Sequence, residues 1–295
     1  MRDQHPAWGA RKIAGCLKRD GITPPAVSTV HAILVRHGRI EPGTRMSHSY
    51  GRFEKPAANQ LWQMDFKGEV QMIDGTWCYP LTVLDDHSRY ALCLQACEKP
   101  GGTTVKPLLE RTFHRYGLPK AFYLDNGPPW GGGTPGRWTA FGVWLLKLGV
   151  EVIHGRPHYP QGRGKIERFH RSLKAEVFEK RPIADLAQAQ KRLDRWRTIY
   201  NTERPHEALD MGVPADRYQP SHRAMPKTVP EVEYNSDDIV RKVDPTKSYV
   251  SFKGRLWAVP GAFRGEAVAI RPRSRDGLYG VYFGASQIAT IDLKA

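Results

Sequence analysis

The 295-residue chain is 40% hydrophobic and 25% charged, the balance of an ordinary folded protein. Its 45 Lys+Arg against 30 Asp+Glu leave a net charge of +15 and a pI near 9.8, which points to a polyanionic partner, nucleic acid before membrane. No apolar run reaches the ~18 residues of a spanning helix, no signal-peptide core opens the chain, and Cys16, Cys78, Cys93 and Cys97 form no CxxC pair. These features argue against membrane insertion and a zinc site, and predict free thiols in a reducing cytoplasm.

Residues 1–40 read as two short helices. Trp8, Ile13, Cys16 and Leu17 mark one apolar face, and Val27, Val30, Ile33 and Leu34 the next, with Gly21 and Pro24-Pro25 between them. As a helix-turn-helix, the pair would offer Ser28, Thr29 and His31 to base edges and Arg36 to a phosphate; a plain helical hairpin is the structural alternative. Residues 41–59 form a basic linker with Arg45, His48, Arg52 and Lys55, able to track a phosphate backbone.

In the central segment, 60–218, Trp62, Met64 and Phe66 alternate with Gln63, Asp65 and Lys67. That pattern predicts a strand with Asp65 on the face opposite the aromatics. Two more strands span Trp77 to Ala96, joined at Asp85 to Arg89, where Asp85 and Asp86 read as turn formers. A helix over Thr103 to Tyr116 precedes a strand ending at Asp125, with Asn126-Gly127 as its turn. Gly131 to Gly136 spells GxGxxG, but Pro135 removes an amide a pyrophosphate would need, and no carboxylate lies about 20 residues on, so a dinucleotide site is rejected.

The run from His154 to Lys174 opens as a Gly/Pro loop and turns helical at Lys165. Ile166, Phe169, Leu173 and Val177 share an apolar stripe, while Glu167, Arg171 and Lys174 share another face with His170 beside them. The plain structural reading is an exposed Glu167 paired with Arg171 four residues on. A further helix covers Ala184 to Asn201. Arg204-Pro205-His206 then reads as an extended segment packed beside the core, in preference to a DNA contact. Residues 219–236 form a proline-marked linker. Residues 237–295 hold short alternating strands with turns at Lys253-Gly254 and Asp276-Gly277, which predicts a small SH3-like β-barrel with a basic surface.

Three carboxylates, on a strand, a strand end and a helix, need a reason to converge. Asp65, Asp125-Asn126-Gly127 and Gly164-Lys165-Ile166-Glu167-Arg168 resemble the Asp-Asp-Glu triad of the retroviral-integrase and insertion-sequence transposase superfamily. Leu81 to Tyr90, and Ile199 to Leu209 followed by Pro214, are similar to further segments of bacterial members. The 41 residues between Asp125 and Glu167 exceed the family's usual gap, which a longer Gly/Pro surface loop accommodates cheaply. No His pair is followed by suitably spaced cysteines, so the zinc-binding N-terminal module of retroviral integrases is not expected in this sequence.

The resemblance implies a bacterial DDE transposase with a ribonuclease-H-like integrase core over 60–218. This α/β domain, a mixed sheet with helices on both faces, follows a small helix-turn-helix unit and precedes a small β-barrel. Asp65, Asp125 and Glu167 would be catalytic and would hold two Mg²⁺, for which Mn²⁺ can substitute, with Asp65 bridging both. Water, then a DNA 3′-hydroxyl, would displace in line without a covalent enzyme intermediate. Asn126, His158, Lys165, Arg168, His170, Arg171 and Lys174 would hold DNA around the site. The implied partners are double-stranded DNA, as element ends and target, and further copies of the chain; the implied location is the bacterial cytoplasm, at the nucleoid. A catalytically silent relative, acting as repressor or architectural factor, and a metal-dependent nuclease that cuts without joining are the rivals. The intact trio of acids favours activity.

Overall fold

The computed structural model describes residues 1–40, 54–125, 127, 130–131, 138–155, 164–179 and 181–294. In chain order, α1 (Ala10–Arg19) and α2 (Val27–Arg36) precede β1 (Trp62–Phe66), β2 (Val70–Gln71), β3 (Trp77–Asp85) and β4 (Ala91–Cys97). Then come α3 (Gly102–Tyr116), β5 (Ala121–Leu124), α4 (Ala140–Lys147), β6 (Glu151–His154), α5 (Gly164–Leu173), a π-helical turn (Lys174–Phe178) and α6 (Leu186–Thr202). Six strands follow: β7 (Ile239–Lys242), β8 (Tyr249–Phe252), β9 (Arg255–Ala258), β10 (Ala267–Pro272), β11 (Leu278–Phe283) and β12 (Ser286–Asp292). The chain divides into two compact units, Met1–Pro100 with His158–Pro220, and Gly101–Pro157 with Ser221–Ala295.

In the first unit, β3 is the central strand. β1 pairs antiparallel with it from Trp62↔Asp85 to Phe66↔Leu81, β2 continues along the same edge, and β4 pairs on the other. Cross-strand partners share a face. One face therefore carries Gln63, Asp65, Cys78, Thr82 and Leu84, and the other carries Trp62, Met64 and Val83. On the first face, Phe169, Leu173 and Val177 pack with Cys78, Leu84, Leu94, Trp196 and Tyr200, so α5 and α6 cover the sheet with their apolar stripes. α6 starts where the Asp185 carboxylate accepts the Gln188 amide at 2.7 Å. It also satisfies β4. Asn201 Oδ1 accepts the Ala91 amide at 2.8 Å, and Gln190 Oε1 accepts the Ala96 amide at 2.7 Å. Side-chain amides thus occupy strand groups that would otherwise recruit another chain.

The N-terminal pair buries Ile13, Cys16, Val30 and Leu34 around Trp8. Val27 and Ile33, expected to face inward, are exposed among the described residues, where α2 packs on α1 through Val30 and Leu34. α1 is docked on the segment after α6. Arg19 makes a paired hydrogen bond to Asp216 at 2.6 and 2.9 Å, and the Cys16 thiol donates to the Glu203 carbonyl at 3.8 Å.

In the second unit β5 and β6 run parallel, from Ala121↔Glu151 to Leu124↔His154. Gly117, after α3, has φ 76°, and a Cβ there would lie 2.6 Å from the Ser221 carbonyl oxygen, so only glycine fits that crossing. Arg223 then ties the strand ends, donating to the carbonyls of Pro119, Leu148 and Gly149 at 2.6–2.9 Å. The C-terminal strands form an antiparallel sheet in the order β12-β11-β10-β7 and a separate β8-β9 hairpin. Both pack on one core that includes Val250, Phe252, Phe263, Val268, Val281 and Phe283. Among the described residues these are two sheets over a shared core, not one closed ring. The β8-β9 turn has positive φ at Lys253 (48°) and Gly254 (74°), the geometry that the strand twist demands.

Candidate active site

Asp65 lies half-buried on β1, directly opposite the fully buried Thr82 of β3. Glu167 lies exposed in the first turn of α5. His170 follows three residues later, on the same helical face. Its Nε2 is 3.1 Å from Thr82 Oγ1. Because Thr82 and Asp65 project from the same side of the sheet, this contact places the Glu167 face of α5 over the strand position of Asp65. Among the described residues Glu167 makes no ion pair, with Arg171 or with any other cation.

Asp125 belongs to the second unit. It sits just beyond β5, the usual end for chemistry on a parallel strand. Its carboxylate accepts the Gly127 amide at 3.0 Å, and its carbonyl lies 3.0 Å from His154 Nδ1 at the end of the neighbouring β6. Both ends of the residue are thereby held. Among the described residues no cluster of three or more His, Cys, Asp or Glu side chains is assembled to hold a metal ion, so a preformed three-acid cage is absent from them. Half-exposed and exposed carboxylates are nonetheless hard oxygen donors of the kind Mg²⁺ takes, and the donor chemistry fits that ion.

Two family models, each described as "Integrase core domain", match residues 55–160 and 148–214, and "IS481 family transposase, C-terminal domain" matches 238–295. The chain belongs to the DDE transposase and retroviral-integrase superfamily. The order β1-β3-β4-α3-β5-α4-β6-α5 is accordingly that of a ribonuclease-H-like core. Over 173 residues the chain is 30% identical to the uncharacterized 39.2 kDa protein of insertion element IS476 from Xanthomonas euvesicatoria, covering 57% of this chain and 48% of that one. Over 168 residues it is 29% identical to the uncharacterized 31.7 kDa protein of insertion element IS407 from Burkholderia multivorans, covering 57% and 58%. The chain thus spans about half the length of the curated relatives it matches. A chain of the simian T-cell lymphotropic virus intasome, solved in complex with PP2A regulatory subunit B56 gamma, is 16% identical with a TM-score of 0.47, covering 92% of this chain and 90% of that one.

Around the integrase-type core, the expected DNA contacts divide by environment. Ser28, Thr29, His31 and Arg36 are exposed on α2, and Arg168, Arg171 and Lys174 are exposed on α5 and the turn after it. Lys165 is already engaged, its ammonium bonded to the fully buried Asp86. Burial lowers the Lys165 pKa more than that carboxylate raises it. Asn126 and His158 lie outside the described residues.

Asp86 is the residue that sequence reasoning undervalued. Besides Lys165 it accepts the Lys55 amide at 2.8 Å and Gln63 Nε2 at 2.9 Å, so it anchors the start of α5 to the β3–β4 turn. Asp85 accepts the Ser88 amide and hydroxyl at 2.8 and 2.6 Å within the turn and the Asn59 amide at 2.7 Å from outside it; burial raises its pKa despite these bonds. Also unforeseen is a buried network on the π-helical turn. Glu176 accepts Trp196 Nε1 at 2.8 Å and Arg204 Nε at 3.0 Å, while Arg204 also reaches Ser172 Oγ at 2.9 Å. Glu176 falling on the apolar stripe of Leu173 and Val177 was the one signal available. Arg204 is buried beside the core, as its plain structural reading held.

Proposed function

We propose that the chain is a DDE transposase that cuts DNA and joins its ends to a target, with Asp65, Asp125 and Glu167 as the catalytic acids. The observation that supports this reading is the His170 Nε2–Thr82 Oγ1 contact at 3.1 Å, which joins the cross-strand partner of Asp65 to the helix that carries Glu167. Asp65 offers oxygens from a rigid strand, Glu167 from a helix anchored by Lys165 and Asp86, and Asp125 from a strand end held at both its carbonyl and its carboxylate. When bound, two Mg²⁺, replaceable by Mn²⁺, supply a low-pKa nucleophile and stabilise the leaving oxygen of an in-line displacement. The three carboxylates orient that chemistry. Arg168, Arg171 and Lys174 neutralise phosphates beside it, and α2 reads base edges with Ser28, Thr29 and His31.

The working division is a DNA-reading unit over 1–40, a catalytic core over 60–218 and a small β module over 237–295. Paired end joining calls for at least two copies on DNA, in the bacterial cytoplasm at the nucleoid. No helix among the described residues is long and apolar enough to cross a membrane.

A strand-transfer assay with pre-cut DNA ends and Mg²⁺ tests the proposal. Asp65→Ala, Asp125→Ala and Glu167→Ala each abolish joining and leave DNA binding intact. Full joining by the Asp65→Ala protein would falsify the mechanism, and binding without cutting by the unsubstituted protein would favour the silent DNA-binding relative.

A further inference from the structure

Two residues past Asp65, Lys67 extends the same side of the sheet. Its amide donates to the Pro80 carbonyl at 3.0 Å, so the strand pairing continues past β1. With a rise of about 3.3 Å per residue, its Cα lies about 6.6 Å along the strand from that of Asp65. The face agrees: Cys78, on the side of Thr82, is among the groups acting on the Lys67 charge.

Above it runs the π-helical turn. The Lys67 ammonium sits 5.2 Å from the centre of the Phe178 ring. Among the described residues it makes no ion pair. Lys174 and Glu179 are the charged groups acting on this half-buried ammonium. Glu179 also stands 3.4 Å from the Lys174 ammonium, both side chains more than half exposed.

Among the described residues, two cations therefore lie beside strand β1, and the exposed Glu179 carboxylate acts on both of them. Exposed pairs of this kind hold weakly, whereas the Phe178 ring attracts the half-buried Lys67 ammonium and holds it in place. The cations also follow the order of the acids. On the helix, Glu167, His170 and Lys174 descend one face, and on the strand Asp65 is followed by Lys67. A DNA strand whose reacting phosphodiester lies at the acids would run its neighbouring phosphate past the lysines.

We propose that Lys67 and Lys174 form a phosphate subsite for the DNA backbone next to the reacting phosphodiester, in which the Glu179 carboxylate stands in for the phosphate until DNA displaces it. The inference rests on the function proposed above and adds to it a residue, Lys67, and a built-in competitor, Glu179.

The test is the salt dependence of binding to a fluorescein-labelled random-sequence duplex, measured with EDTA so that chemistry plays no part. Lys67→Ala, and Lys67→Gln in case truncation unfolds the strand, should each lower the log–log slope by about 0.9, one phosphate's worth. Lys67→Arg should keep the slope, and Glu179→Gln should tighten binding several-fold at low salt. An unchanged slope in both folded Lys67→Ala and Lys67→Gln proteins, or unchanged affinity in Glu179→Gln, overturns the subsite. Strand cleavage by the unsubstituted protein is run alongside. Cleavage with an indifferent Lys67 removes the subsite alone, while a Lys67-dependent slope without cleavage removes the catalytic reading alone.

Discussion

At the scale of single residues, one hydrogen bond between β3 and α5 bears on the proposed site. His170 holds Thr82 across from Asp65 and is three residues from Glu167, so it ties the strand acid to the helix acid. Supporting partners of this kind typically cost 10–100-fold when removed. His170→Ala is expected to lower Mg²⁺-dependent cleavage by about that factor while leaving the thermal unfolding midpoint close to that of the unsubstituted protein. A large drop in midpoint would mark His170 as a packing residue instead.

His206 gives a second residue-scale test. Burial, reinforced by the Arg204 charge, lowers its pKa from 6.5 to about 3, and its Nε2 is buried without a hydrogen-bond partner among the described residues. Its ring packs edge-on against Tyr200 at 4.7 Å. The unfolded chain takes up the proton first, so stability is full above pH 6.5 and falls as pH drops from there toward 3. The expected loss approaches about 1.4 kcal/mol per pH unit in that window. A His206→Phe protein whose stability declines as steeply between those pH values would refute the assignment.

At the scale of elements, α5 and the π-helical turn behave as one lever. Its start is tied to the β3–β4 turn by Lys165 and Asp86, and its end is clamped by Glu176, Arg204 and Trp196. Glu176 and Arg204 are both buried, and breaking such a pair from one side typically costs 3–5 kcal/mol, because the remaining charge is stranded. Glu176→Ala should therefore destabilise by roughly that amount in urea unfolding, whereas Glu176→Leu with Arg204→Met should recover most of it. If the double variant regains stability but not strand transfer, the network positions Glu167 as well as holding the fold. The π-helical turn adds a residue to the winding, which turns Glu176 inward among the apolar groups and leaves Lys174 facing out.

For the whole molecule, a charge of +15 with exposed bases on α2 and α5 predicts DNA binding that weakens steeply with salt. The four cysteines predict the reverse of reactivity. All are free and buried, and burial pushes Cys16 and Cys78 up to about 11 and Cys97 up to about 12. The native protein should resist iodoacetamide at neutral pH and react fully once unfolded; fast labelling of the native form would show that the core opens readily.

How much could be read in advance follows from the range of the forces involved. Alternation along Trp62 to Phe66 is a local property, and it alone put Asp65 on the side away from the aromatics. Helical spacing did the same for Phe169 and Leu173 against Glu167, and turn chemistry marked Lys253-Gly254. Ordered short motifs were enough to name the superfamily. Long-range pairings left no such trace. Asp86 reads as an ordinary turn residue until Lys165 arrives from seventy-nine positions away. Glu176 reads as a misplaced charge until Arg204 and Trp196 close over it, and Val27 and Ile33 read as core until the described residues leave them exposed. Periodicity records which way a side chain points along its own element. What it meets there depends on the path of the rest of the chain, and only the folded structure decides that.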